Sequence, residues 1–240
     1  MNVSCDFVDP SSTNIEDYKV IIVPALYAAP DSLLKRLNRF VKNGGHIVCT
    51  FKSGFSNEDV KVRTTPQHGI INEACGVSYS QFTLPQNMAL KDEPFKVGAA
   101  ENTVSIWMDL MTPTTAKVLA LYDHPVWGKY AAITQNNYGK GVATYIGCIT
   151  SNAVTKKLLL DVLQKTELMG ADQQLSFPLI TKSGINQQGK NIHYYFNYSA
   201  DKKTLVYPHN KGMELLSGKS VAKNGALELA PWGVIIVAEN

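Results

Sequence analysis

Hydrophobic and polar positions alternate between two regimes along this chain, helical and extended, and the change between them divides it. Residues Lys19 to Pro24 form a continuous apolar run closed by a proline, the pattern of a parallel strand buried on both faces. After Pro30 and Asp31, residues Leu33, Leu34, Leu37, Phe40 and Val41 recur at 3.6 spacing and predict a helix, which Gly44 and Gly45 stop. His46 to Phe51 reads as the next buried strand, so strand, helix and strand form a right-handed βαβ unit in a partly parallel sheet. Ser4 to Val8 is read as a further strand of that sheet.

Beyond this unit the pattern is weaker. Ser53 to Glu58 is a polar loop, Gly69 to Ala74 a short helix and Gly76 to Phe82 a strand, with no period from there to Thr103–Met108. Strands return at Lys117–Tyr122, Tyr130–Gln135 and Val142–Cys148, the last two joined by a hairpin at Tyr138–Gly141. Ser151 caps a predicted helix that turns Val154, Leu158, Leu159, Val162 and Leu163 inward and ends at Gly170. The stretch Ala171 to Ser176 reads as a linker. After it no helical period survives, and short strands are predicted at 179–182, 191–198, 204–207, 213–216, 226–229 and 233–238. The expected architecture is an α/β domain over 1–170, with a flavodoxin- or class I amidotransferase-like, partly parallel sheet, and a small antiparallel β-sandwich over 177–240.

Composition narrows the function classes without selecting one. Of 240 residues, 45% are hydrophobic and 18% charged, enough for a sizeable core, and the net charge of +3 is too small to point to nucleic acid or a membrane surface. No signal peptide or membrane-spanning run is visible. The four cysteines (Cys5, Cys49, Cys75, Cys148) show no metal-ligand spacing and read as structural thiols of a reducing, cytoplasmic compartment. The five histidines (His46, His68, His124, His193, His209) show no ligand spacing either and read as surface or strand-end residues, so neither metal nor cofactor is expected.

Catalytic constellations are equally sparse. Cys49 sits near the end of a buried strand, where an amidotransferase-like hydrolase carries its nucleophile, but Val48, Thr50 and a polar loop surround it instead of a glycine-flanked elbow. Glu58 and Glu73 each follow an asparagine, yet neither follows a barrel strand. Strand alternation places Tyr194, Phe196 and Tyr198 on one face, expected to pack against Leu227, Leu229 and residues 234–237 as core. That leaves Tyr195, with Trp232, as a candidate sugar-stacking pair.

Five segments, in order, resemble glycoside hydrolase family 42 β-galactosidases. They are Asp17–Tyr27 with Leu37, Phe40, Val41, Gly44 and Gly45; Thr50–Asp59; Gly128–Ala132; Tyr138–Gly147; and Leu229–Val234. The resemblance implies the non-catalytic part of a retaining enzyme: an oligomer-assembly domain, trimerising in that family, followed by its small C-terminal β-domain. The catalytic (β/α)8 barrel and its two glutamates would lie in the same parent polypeptide, outside this chain, so no catalytic residue carries over. It also implies that the domain's usual first strand and helix are missing and that Met1 is an internal residue. The loop carrying Ser53, Asn57, Glu58 and Asp59 is the candidate subunit contact by that resemblance. The alternatives are a stand-alone carbohydrate-binding or scaffold module using Tyr195 and Trp232, and a hydrolase dependent on Cys49.

Overall fold

The two apolar runs of the βαβ unit pair in parallel. In the computed structural model, which describes residues 1–65, 67 and 69–240, β1 (Val20–Val23) lies beside β2 (His46–Thr50), with α1 (Asp31–Lys42) between them in sequence. The chain divides into two compact units, Val8–Thr166 and a second made of Met1–Phe7 with Glu167–Asn240.

In the first unit the chain continues through α2 (Asn72–Cys75), β3 (Val77–Thr83), β4 (Val104–Pro113), β5 (Lys117–Leu121), β6 (Ala131–Tyr138), β7 (Gly141–Ile146), β8 (Cys148–Thr150) and α3 (Asn152–Lys165). These strands make one mixed eight-stranded sheet, in the order β1-β2-β7-β6-β4-β3, with β5 on β6 and β8 on β4. β2 pairs in parallel with both β1 and β7, and the other pairs are antiparallel.

Both faces of β2 and β7 are covered, which is why β2 is apolar without alternation. By contrast β1, at the sheet edge, leaves Ile22 exposed instead of being buried on both faces as its apolar run predicts. Ile47, Cys49, Ala143 and Tyr145 pack under Leu34, Leu37, Phe40 and Val41 of α1. Val48, Ala132 and Ile146 share the other core with Val154, Leu158 and Val162 of α3. Gly44, at φ +123°, ends α1 in a conformation that L side chains rarely adopt. Gly141 lets β7 pass so close to α1 that a Cβ there would collide with the Val41 carbonyl. Ser151 caps α3 by accepting the Val154 N–H at 3.2 Å, but the helix ends at Lys165, short of Gly170.

The second unit contains α4 (Ala171–Gln174), β9 (Leu179–Ile185), β10 (Asn191–Asn197), β11 (Lys203–Val206), β12 (Gly212–Glu214), β13 (Ser220–Val221), β14 (Ala226–Leu229) and β15 (Val234–Glu239). A five-stranded antiparallel sheet, β13-β12-β15-β10-β9, and the two-stranded β11-β14 ribbon contribute to one core of Tyr195, Leu205, Tyr207, Val221, Leu227, Leu229 and Val237.

Two expectations fail here. The stretch read as a linker contains α4, whose Asp172 is buried. Residues Ser4 to Val8 form no strand: Cys5 is exposed, Phe7 is fully so, and Met1–Phe7 belongs to the second unit. Asn2 supplies the attachment, donating to the Leu175 and Leu179 carbonyls at 2.9 and 3.1 Å and accepting the Thr181 N–H at 3.2 Å. Among the described residues, no helix is long and apolar enough to cross a membrane.

Candidate functional site

Open α/β sheets place ligand and partner contacts beyond the carboxyl ends of their parallel strands. In the first unit that edge carries an aromatic cluster around one lysine. β2 ends at Thr50, whose hydroxyl accepts the Ala25 N–H at 2.6 Å, and the chain turns through Lys52 with φ +56°. The Lys52 ammonium lies 3.9 Å from the Trp107 ring centroid, and 5.1, 5.3 and 5.6 Å from those of Phe82, Tyr27 and Phe55. The rings also contact one another, Phe82 with Trp107 at 4.4 Å and Tyr27 with Phe55 at 5.1 Å. Phe82 is 44% exposed here, and Ile106, next to Trp107 in the chain, is 69% exposed. A caged cation within an apolar surface suits a partner that covers it, because desolvation strengthens cation–π attraction.

Asp109 supports the cluster from beneath. Fully buried in β4, it accepts the Trp107 indole N–H at 2.8 Å, the Lys52 backbone N–H at 3.3 Å and the Tyr145 hydroxyl at 3.1 Å. Burial pushes its carboxyl up to about 6, against the opposing pull of those donors and the Lys52 charge. Trp107 and Lys52 are thus held from opposite sides of one carboxylate.

Neighbouring Cys49 has no access to substrate. It is fully buried, and the adjacent Cys75 together with burial pushes its thiol well above the ordinary range, so no thiolate is available for attack. In the candidate contact loop, Ser53 is buried and spends its hydroxyl on the Thr50 carbonyl at 2.7 Å. Asn57 shapes the turn by accepting the Asp59 and Lys61 N–H groups, which leaves Glu58 and Asp59 as its exposed charges. Two surface grooves of about 500 and 550 Å³ lie in this unit. The first is lined by side chains such as Asn87, Met88, Asn102, Ser105 and Ile106, and the second holds a single carboxylate, Glu16, which is paired to Arg36 at 2.7 Å.

The second unit holds a different arrangement. β10 presents Tyr195 to the core and leaves Tyr194, Phe196 and Tyr198 on the outer face, the reverse of the expected assignment. Tyr195 and Trp232 therefore share no platform: Tyr195 is fully buried, while Trp232 is 69% exposed in a turn. The Tyr195 hydroxyl donates to Asp172 at 3.1 Å, and His209 Nε2 lies 2.8 Å from the same carboxylate. His193 Nε2 is 2.9 Å from Glu239, whose other oxygen accepts from Asn191 and Asn210 at 3.2 and 3.3 Å. Burial raises the Glu239 carboxyl, and these hydrogen bonds outweigh it, leaving the group below its ordinary value. The two imidazoles stack with centroids 3.6 Å apart and planes 11° from parallel.

With this geometry in place, comparison with known proteins decides the family. The sequence signature of the β-galactosidase trimerisation domain matches residues 1–169. The chain belongs to that family. It is 28% identical to β-galactosidase BgaA of Clostridium cellulovorans over 243 residues, covering 99% of this chain and 35% of the relative. Similarity to β-galactosidase Pbg of Clostridium perfringens is also 28%, over 99% of this chain and 34% of that protein. Among solved structures, the β-galactosidase of Bacillus circulans sp. alkalophilus superposes with a TM-score of 0.85 at 22% identity, over 100% of this chain and 35% of that one. The chain thus spans about a third of the length of the relatives it matches.

Within this trimerisation-domain relative, sequence reading and structure diverge mainly over polar groups that become buried. His46, the first residue of β2, is at a strand end but buried, His193 lies buried within β10, and His68 lies outside the described residues. Burial depresses His46 to about 4, with Lys165 reinforcing the shift and Asp161 opposing it. Asp172, His193 and His209 are brought together from three separate segments, so no local spacing could announce them. The isolated Asp109 within the apolar stretch 108–111 was the one signal in the sequence that could have singled out the Lys52 cluster.

Proposed function

We propose that this chain is the assembly part of a β-galactosidase, contributing subunit contacts while the chemistry resides elsewhere in the parent protein. On this reading the whole enzyme hydrolyses terminal β-D-galactosides with retention, through a covalent glycosyl-enzyme formed on a catalytic (β/α)8 barrel. The first unit, Val8–Thr166, is a flavodoxin- or amidotransferase-like domain, and the second, Glu167–Asn240 with Met1–Phe7, carries a β-sandwich over 177–240. Three copies associate, and the Lys52 aromatic edge with Glu58 and Asp59 faces a neighbouring subunit. Three buried thiols suit a cytoplasmic location for the parent.

One observation carries the reading: relatives named as β-galactosidases align with 98–99% of this chain, yet the chain is only 34–35% of their length. The test is turnover of a chromogenic β-galactoside by purified residues 1–240. The rate stays at the enzyme-free background; saturable turnover by the chain itself would overturn the proposal.

A further inference from the structure

We propose that Asp172, His193 and His209 form a divalent-metal site of the zinc type in the second unit, a role separate from the assembly function of the first. The three side chains come from α4, from β10 and from the segment following β11, and each offers a ligand atom within 4.8 Å of the others. One carboxylate oxygen and two imidazole nitrogens make a borderline donor set suited to zinc, with a fourth position left for water.

The hydrogen bonding around His193 supplies the independent argument. Its Nε2 faces the Glu239 carboxylate, which can only accept while ionised, so Nε2 carries a proton and in the neutral ring Nδ1 presents a lone pair. That Nδ1 is buried in a residue only 6% exposed and has no hydrogen-bond partner among the described residues. A buried lone pair without a partner is costly. Here it is also the arrangement that metal-bound histidines use, one nitrogen on the ion and the other N–H on an oriented carboxylate. Asn191 and Asn210 hold that carboxylate in turn. The Tyr207 ring stands edge-on to both imidazoles, and its hydroxyl is a second buried polar atom without a partner among the described residues.

Stacked imidazoles cannot both aim in-plane lone pairs at one ion. Binding therefore swings His209 off the His193 face and exchanges its 2.8 Å contact with Asp172 for a shared metal. His209 can do this because its side chain is 29% exposed, whereas His193 stays fixed by Glu239. The ion would tie α4 and the segment around His209 to β10, a structural cross-link whose binding energy adds to folding.

The test uses the full chain with exposed Cys5 changed to Ser, stripped of metal with EDTA and titrated with Zn2+ by calorimetry and with Co2+ by absorption. One equivalent binds, the melting temperature rises with Zn2+, and the Co2+ complex shows visible d–d bands without thiolate charge transfer. Glu239→Gln weakens binding by roughly 10- to 100-fold. His209→Ala and Asp172→Asn each lose the saturable equivalent, and His124→Ala retains it. Circular dichroism in EDTA confirms that each variant is folded, and Asp172→Asn decides if His209→Ala is not. Absence of a stoichiometric equivalent, or equal binding by the parent chain and Asp172→Asn, overturns the site and identifies the cluster as a metal-free hydrogen-bond network.

Discussion

Asp109 and His46 are both buried in the eight-stranded sheet, and their protonation pulls stability in opposite directions over the same pH range. Burial raises Asp109 to about 6, so the folded state holds its proton more tightly than the unfolded chain does. Its contribution is complete below about pH 4 and is lost as pH rises through 6, on the order of 3 kcal/mol. His46 is depressed to about 4 from 6.5, so its contribution is present above pH 6.5 and is lost as pH falls through 4. The two slopes offset one another. Thermal melts of the wild-type chain will show a shallow dependence between pH 4 and 6.5. Asp109→Asn will leave the His46 slope, with stability rising toward neutral pH, and His46→Gln will leave the Asp109 slope, falling toward neutral pH. Parallel profiles for all three proteins would show that neither group titrates as its burial requires.

Elements whose amphipathic pattern is set by local spacing were legible; those set by long-range pairing were not. The β1–α1–β2 unit, the hairpin at Tyr138–Gly141 and α3 follow from apolar period, glycine position and the Ser151 cap. β4 was read too short because exposed Ser105 and Ile106, the latter at φ +61°, interrupt it before four successive buried residues. In β10, alternation gives the parity of the faces but not which one is buried. The face with three rings is the outer one because polar Asn197 is satisfied inside, donating to the Asp201 and Ala230 carbonyls at 2.7 and 2.9 Å. The N-terminal segment was misplaced for a related reason: its attachment is one polar side chain, Asn2, rather than an apolar stripe. Asn2→Ala removes three hydrogen bonds to backbone groups of the β9 region and should destabilise the second unit by about 1–3 kcal/mol. Urea denaturation followed by circular dichroism reads this shift, and an unchanged midpoint would mean that Met1–Phe7 contributes nothing to that unit.

For the whole molecule, the candidate site was legible only as an absence. The sequence shows no nucleophile elbow and no paired acids, and Cys49 is buried with its thiol pushed well above the ordinary range. What spacing could not show is the surface that takes their place, because Tyr27, the Lys52–Phe55 loop, Phe82 and Trp107 are far apart in sequence and meet only at the strand ends. The assembly proposal rests on that surface being covered by another copy. Lys52→Glu and Ile106→Glu place unpaired charge there while sparing the core, and they should weaken association in proportion to what the edge buries. The most direct measurement is the mass of residues 1–240 by multi-angle light scattering at micromolar concentration. The account predicts three times the chain mass of 26.4 kDa, with a shift toward one chain in both variants. A single-chain mass for the wild-type protein across the accessible concentration range would contradict it.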